Sequence, residues 1–184
     1  MFKRLFARSG HANRLIADAL YAEIVAAARQ PVPYSDWGVP DTPLGRYEMM
    51  ALHVFLIVHR LRGEGAPAAS LGQELTDTFF TDMDHSLREL GIGDMGIPKR
   101  MKRLGRMYLG RASSYGAALD AGDRPALAQA LARNIRPDTP DWPQGAALAD
   151  YVFDASAALA RQPLTDILDG RVAFAVPQAH GAQP

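Results

Sequence analysis

The chain has 184 residues, 48% of them hydrophobic and 22% charged, with 20 acidic and 20 basic side chains in balance. That composition fits one soluble globular domain with a sizeable core. Without cysteine there is no disulfide, thiol nucleophile or thiolate metal site, and zero net charge argues against a general nucleic-acid binder.

The opening MFKRLFARSG carries Phe2, Leu5 and Phe6 among Lys3, Arg4 and Arg8, with no apolar run of signal-peptide length. Residues 1–12 read as an amphipathic lead-in, either a foot for loose contact with a membrane surface or a frayed entry to the first helix. Leu15, Ile16, Ala19, Leu20, Ile24 and Ala27 then recur at helical spacing, predicting a helix over 13–29 that ends at Pro31. Pro31, Pro33, Pro40 and Pro43 stiffen a connector over 31–44, on which Tyr34 and Trp37 are expected to pack as anchors.

Thr42 before Pro43 has the chemistry of an N-cap followed by proline in the first turn. It opens a helix to Leu61 that is apolar on nearly every side, the expected central buried helix. Its most apolar stretch is broken by His53, His59 and Arg60 and is too short to span a membrane. Gly63, Gly65 and Pro67 read as a loop, with Ser70 and Gln73 as the capping box of the next helix, whose stripe is Leu71, Leu75, Phe79, Met83, Leu87 and Leu90.

Gly91, Gly93 and Gly96 stop that helix, and Pro98 starts another with the stripe Met101, Leu104, Tyr108, Ala112 and Tyr115. A short helix over 125–134, a proline-rich loop over 136–143, a helix over 145–161 and one last turn over 163–168 complete the core. Val172, Ala173 and Phe174 are expected to dock as an extended tail, and residues 175–184 to be loose. Strand patterns and repeats are absent. The expectation is an all-α domain of six or seven helices over 13–174.

Residues 79–111 hold the clearest functional signal. Glu74, Asp77, Asp82, Asp84, Glu89 and Asp94 face only Arg88, and then Lys99, Arg100, Lys102, Arg103, Arg106 and Arg111 follow with no acid among them. Lys99, Lys102, Arg103 and Arg106 share one helix face by their spacing. A helix that is merely soluble mixes its charges through i, i+4 pairs, so these bases need acids from elsewhere. The acidic helix supplies them internally, for example Asp82 or Asp84 to Arg100 or Arg103, or a partner does.

Other chemistries fit poorly. Gly91-Ile92-Gly93-Asp94-Met95-Gly96 matches GxGxxG literally, but it follows a helix, whereas a dinucleotide loop follows a strand. An EF-hand opening at Asp82 needs glycine and glutamate where Leu87 and Gly93 stand. No Glu-x-x-His pair suggests a carboxylate-bridged metal, and Ser113 and Ser114 have no base beside them. Glu48 and His53 do not share a face well and read as solvated or satisfied within the core. His53 and His59 fall in no iron-ligand motif. No metal, no cofactor and no enzymatic activity is expected.

Two ordered blocks resemble a known family. The first is Tyr34-Ser35-Asp36-Trp37-Gly38-Val39-Pro40-Asp41-Thr42 with Gly45-Arg46-Tyr47-Glu48-Met49. The second is Asp82-Met83-Asp84, then Leu87-Arg88-Glu89-Leu90-Gly91-Ile92-Gly93-Asp94, then Ile97-Pro98-Lys99-Arg100-Met101-Lys102, and on to Tyr108, Gly110, Arg111 and Tyr115. Over residues 12–174 the chain resembles the ubiquinol–cytochrome c chaperone family, assembly factors of respiratory complex III, and its arginine-rich, alanine-rich composition suits a bacterial member.

The resemblance implies a helical, non-enzymatic protein that binds newly made cytochrome b or its nascent chain. In mitochondrial relatives it also implies a small partner protein and association with the ribosome. The place implied is cytoplasmic, with peripheral contact at the inner face of the cytoplasmic membrane. On this reading Asp82, Asp84, Arg88, Asp94, Lys99, Arg100, Lys102 and Arg103 form a charged docking face. Trp37, Pro40 and Asp41 form either a second contact region, with an apolar groove beside Trp37, or a structural clamp. The alternative is an RNA- or ribosome-binding module using the basic helix 99–111.

Overall fold

The computed structural model describes residues 2–139 and 141–178, with side chains described from residue 13 onward. The lead-in expected of the side chains of residues 1–12, and the tail from 179 on, lie outside what is described. Among the described residues there are eight helices: α1 (Phe2–Ala28), α2 (Val32–Ser35), α3 (Pro43–Leu61), α4 (Ala66–Glu89), α5 (Ile97–Ala121), α6 (Arg124–Ile135), α7 (Gly145–Arg161) and α8 (Leu164–Leu168). Six are long and two are single turns, and no strand accompanies them. The fold is all-α, as the periodicity predicts.

Helix α3 is the axis of the molecule. Every residue from Tyr47 to Ile57 on it is buried, a run of three turns that leaves no side for solvent. Helices α1, α4, α5, α6 and α7 pack around it. Its start is fixed by local chemistry: Thr42 is extended at φ −125°, and its Oγ1 accepts from the Gly45 amide at 3.2 Å, as an N-cap should. Gly45 is required for another reason. A Cβ on it would stand 1.8 Å from the Pro40 carbonyl oxygen, so the connector and the first turn of α3 close on each other only without a side chain there.

The proline-stiffened connector includes one helical turn, because Pro31 at φ −68° is compatible with helix and opens α2. Tyr34 and Trp37 do anchor it. The Tyr34 hydroxyl donates to the Ala28 carbonyl at 2.8 Å, and Trp37 is only 2% exposed. From the far end of the chain, Trp142 Nε1 donates to the Trp37 carbonyl at 2.8 Å and an Arg136 amine donates to the Gly38 carbonyl at 3.0 Å.

Helix α4 starts four residues before the capping box expected at Ser70. Gly65, at φ 91°, turns the chain, and Pro67 sits in the first turn, where a missing N–H costs nothing. Ser70 instead accepts from Asn13 Nδ2 at 3.0 Å, tying α4 to α1, and Gln73 donates to Asp77 at 2.9 Å. Helix α5 ends on Gly122 in the left-handed region, and Asp123 caps α6 by accepting from the Ala126 amide at 2.9 Å. The tail docks as expected: Gln162 bonds both the carbonyl and the amide of Ala173, and the Phe174 ring meets His53 edge-on at 5.0 Å.

Candidate interaction surface

The last turns of α4, the glycine turn and the first three turns of α5 form a helical hairpin arm. From residue 82 to 107 only Ile97 is buried. The arm grows from an aromatic base in which Phe79 meets Tyr47, Phe80 and Tyr108 with ring centroids 5.8, 5.0 and 5.9 Å apart. Two links fix the rotation of α5 above this base. The Tyr47 hydroxyl donates to the Leu104 carbonyl at 2.9 Å, and Arg111 reaches inward to Glu48.

The Arg111–Glu48 pair is the feature that charge counting misses. Arg111 is counted among the bases of α5, yet it is 8% exposed and bonds Glu48, itself 3% exposed, through both Nε and Nη2. Its Nη1 donates to the Met107 carbonyl at 3.0 Å. Burial lifts the Glu48 carboxyl above its ordinary range while Arg111 pulls against it. The signal available in the sequence is position: Arg111 lies three residues after Tyr108 and four before Tyr115, on the apolar stripe rather than opposite it.

The acids of the arm are already occupied. The Tyr21 hydroxyl donates to Asp82 at 2.7 Å, bridging α1 and α4. Arg88 joins Asp84 at 2.7 Å to Asp94 at 2.5 Å, and these two carboxylates hold its guanidinium above its ordinary pKa. His85 lies 3.2 Å from Glu89. The bases differ. Lys99, Arg100, Lys102, Arg103 and Arg106 are all exposed, and among the described residues none has an acid within ion-pair distance. The pairing of Asp82 or Asp84 with Arg100 or Arg103, one of the two expected ways to balance the cassette, is not formed.

At the turn between the arms a shallow hollow of about 490 Å³ is lined by Ile92, Asp94, Met95, Arg100 and the glycines. Arg100 folds back over it, its Nη1 lying 2.8 Å from where a Cβ on Gly96 would stand. The first sequence block lies apart from this arm. Trp37 is buried against Tyr151 at 5.5 Å between centroids, Pro40 backs the first turn of α3, and exposed Asp41 pairs with Arg46 at 2.7 Å. The open hollow of this region, about 590 Å³, lies beside Trp142 rather than Trp37, between Ala132, Arg133, Pro137 and Pro143.

Among the described residues, no group of three histidine or carboxylate side chains is placed to hold a metal, and no helix is long and apolar enough to cross a membrane. His53 is spoken for on both sides. Its Nδ1 donates to the Met49 carbonyl at 2.7 Å, which leaves Nε2 to accept from the Tyr151 hydroxyl at 2.8 Å. His59 lies 3.1 Å from Asp120.

The body is all-helical and carries a hairpin whose acids are engaged, while the five exposed bases of α5 have no acid within ion-pair distance among the described residues. The chain belongs to the ubiquinol-cytochrome C chaperone family, whose model matches residues 35–174. It is also similar, at 51% identity and a TM-score of 0.85, to the crystal structure of the Cbp3 homolog from Brucella abortus, over 95% of this chain and 97% of that one. Among curated protein sequences there is no match.

Proposed function

We propose that the protein is a non-enzymatic assembly chaperone that binds newly made cytochrome b while ubiquinol–cytochrome c reductase is assembled. Family membership supports the chaperone role. The observation that carries the binding surface is the charge state of the arm: Lys99, Arg100, Lys102 and Arg103 are exposed and have no counter-charge in the described part of the chain, while Asp82, Asp84 and Asp94 are held by Tyr21 and Arg88. The docking face is therefore Lys99, Arg100, Lys102 and Arg103, with Asp82, Asp84, Arg88 and Asp94 as the network that stiffens the arm beneath them. Trp37, Pro40 and Asp41 act as a clamp, since Trp37 is buried, the Pro40 backbone packs against Gly45 and Asp41 is engaged by Arg46.

The test is charge reversal at Lys99→Glu with Arg103→Glu. Both side chains are exposed, so the thermal midpoint should move little, each substitution costing less than about 0.5 kcal/mol. Co-purification of cytochrome b should fall sharply. Undiminished co-purification by the doubly reversed protein removes the docking-face assignment. Gene deletion tests the role itself: cytochrome b should fail to accumulate while unrelated membrane proteins are unaffected.

A further inference from the structure

Two large apolar side chains on or beside α5 stand in solvent: Met95, 98% exposed, just before the first turn, and Leu109, 68% exposed. Leu109 is seven residues beyond Lys102 and three beyond Arg106, so all three lie on the outward side of the helix, next to Lys99 and Arg103. Past Leu109 that side continues with Gly110, Ser113 and Ala117, all exposed and short. The helix is therefore low there, and Leu109 and Arg106 stand proud. The next carboxylate along the side is Asp120, whose two oxygens Arg62 already holds at 2.7 and 2.8 Å. The result is a strip about 27 Å long from residue 99 to 117, with four unpaired cations, exposed aliphatic groups and no acid.

The chemistry of the strip discriminates among anionic partners. Nucleic-acid phosphates would take the bases, but single-stranded RNA gains much of its affinity by stacking on aromatic rings, and among the described side chains no exposed Phe, Tyr or Trp lies on this side. Aliphatic groups standing among the bases add nothing to phosphate binding. An anionic bilayer rewards both kinds of side chain, with cations among the headgroups and leucine in the boundary layer beneath them.

We propose that the outward side of α5 is a docking surface for an anionic lipid bilayer, with Lys99, Lys102, Arg103 and Arg106 in the headgroup layer and Leu109 below it. This goes beyond the client reading and does not depend on it. Lys99 and Arg103 serve both readings, whereas Arg106 and Leu109 belong only to this one, and the test rests on them.

The experiment is co-sedimentation of the full chain with phosphatidylcholine vesicles and with vesicles of phosphatidylcholine and phosphatidylglycerol. The wild type should bind only the second kind, and less as salt rises. The Arg106→Glu/Leu109→Ser protein, with an unchanged circular-dichroism melt, should bind them more weakly by at least about tenfold. It should still co-purify with cytochrome b from detergent-solubilised membranes, which separates failure of the lipid surface from failure of the client surface. Absence of phosphatidylglycerol-dependent binding overturns the proposal, as does equal binding by the variant. Retention on immobilised polyglutamate or poly(U), without retention by the anionic vesicles, overturns it in favour of an acidic protein or an RNA.

Discussion

Arg111 of α5 grips Glu48 of α3 in a two-pronged hydrogen bond, Nε to Oε2 and Nη2 to Oε1, both at 2.5 Å, inside the core. The parallel geometry makes this one of the stronger charge-assisted pairs a protein can form. It joins the central helix to the one that carries the unpaired bases, and with the Tyr47–Leu104 bond it decides which side of α5 faces outward. A buried pair of this kind contributes little against a well-packed apolar substitute but a great deal against the loss of one partner.

Glu48→Leu or Arg111→Met alone should therefore destabilise the protein by roughly 3 to 5 kcal/mol, because each strands a buried charge. The double variant Glu48→Leu/Arg111→Met should cost clearly less than the sum of the singles. Urea denaturation of the three variants checks this, and additive losses would show that the two groups do not interact.

Gly45→Ala should be among the most damaging single substitutions in the chain. The added methyl meets the Pro40 carbonyl at 1.8 Å, and neither backbone can yield without opening the Thr42 cap. A loss of roughly 3 kcal/mol or more is expected. Gly105→Ala is the contrast: a Cβ there meets nothing within 4 Å, and alanine should stabilise α5 by up to about 1 kcal/mol. Thermal midpoints of the two proteins should move in opposite directions.

Several of these relationships leave different traces in sequence. Thr42-Pro43 and Gly122-Asp123 are local chemistry, so the start of α3 and the break before α6 are readable from a few residues. The start of α4 is misread because Ser70 and Gln73 match a capping box, while the signal that decides it is the Gly65-Ala66-Pro67 turn. The connector hides α2 because its prolines mark stiffness without marking a helical turn. The arm shows the same limit at the candidate surface. Its charge runs are visible in a short window, but Tyr21 is 61 residues from Asp82 and Glu48 is 63 from Arg111, so which charges are already taken is settled only by packing.

Acid should weaken the fold through His53. Complete burial pushes its imidazole down from 6.5 to about 4, so between those values the unfolded chain holds a proton that the folded chain does not. Stability from this site is intact above pH 6.5 and declines as pH falls toward 4, by roughly 3 kcal/mol in total. Urea midpoints measured across that window should fall in the wild type and be flatter in His53→Gln. An equally steep decline in the variant would assign the effect to other groups.

The two tryptophans of the clamp should respond differently to replacement. Trp142 Nε1 serves the buried Trp37 carbonyl at 2.8 Å, whereas Trp37 Nε1 has no hydrogen-bond partner among the described residues. Trp142→Phe leaves a buried carbonyl unpaired, while Trp37→Phe removes a donor that was never satisfied. The first should cost about 1 kcal/mol more than the second. Denaturation of the pair, read by circular dichroism, decides the order.

The aromatic base at Phe79 and Tyr108 marks where the interior of the molecule ends. Beyond it Ile97 is the one fully buried side chain, with Met83, Leu104 and Met107 packed partly against the core, so the exposed side chains of the arm contribute little to what keeps the chain folded. Those exposed residues can thus change without passing through unstable intermediates. An arm exchanged between relatives at that aromatic boundary should carry its preference with it, leaving the host body as stable as before.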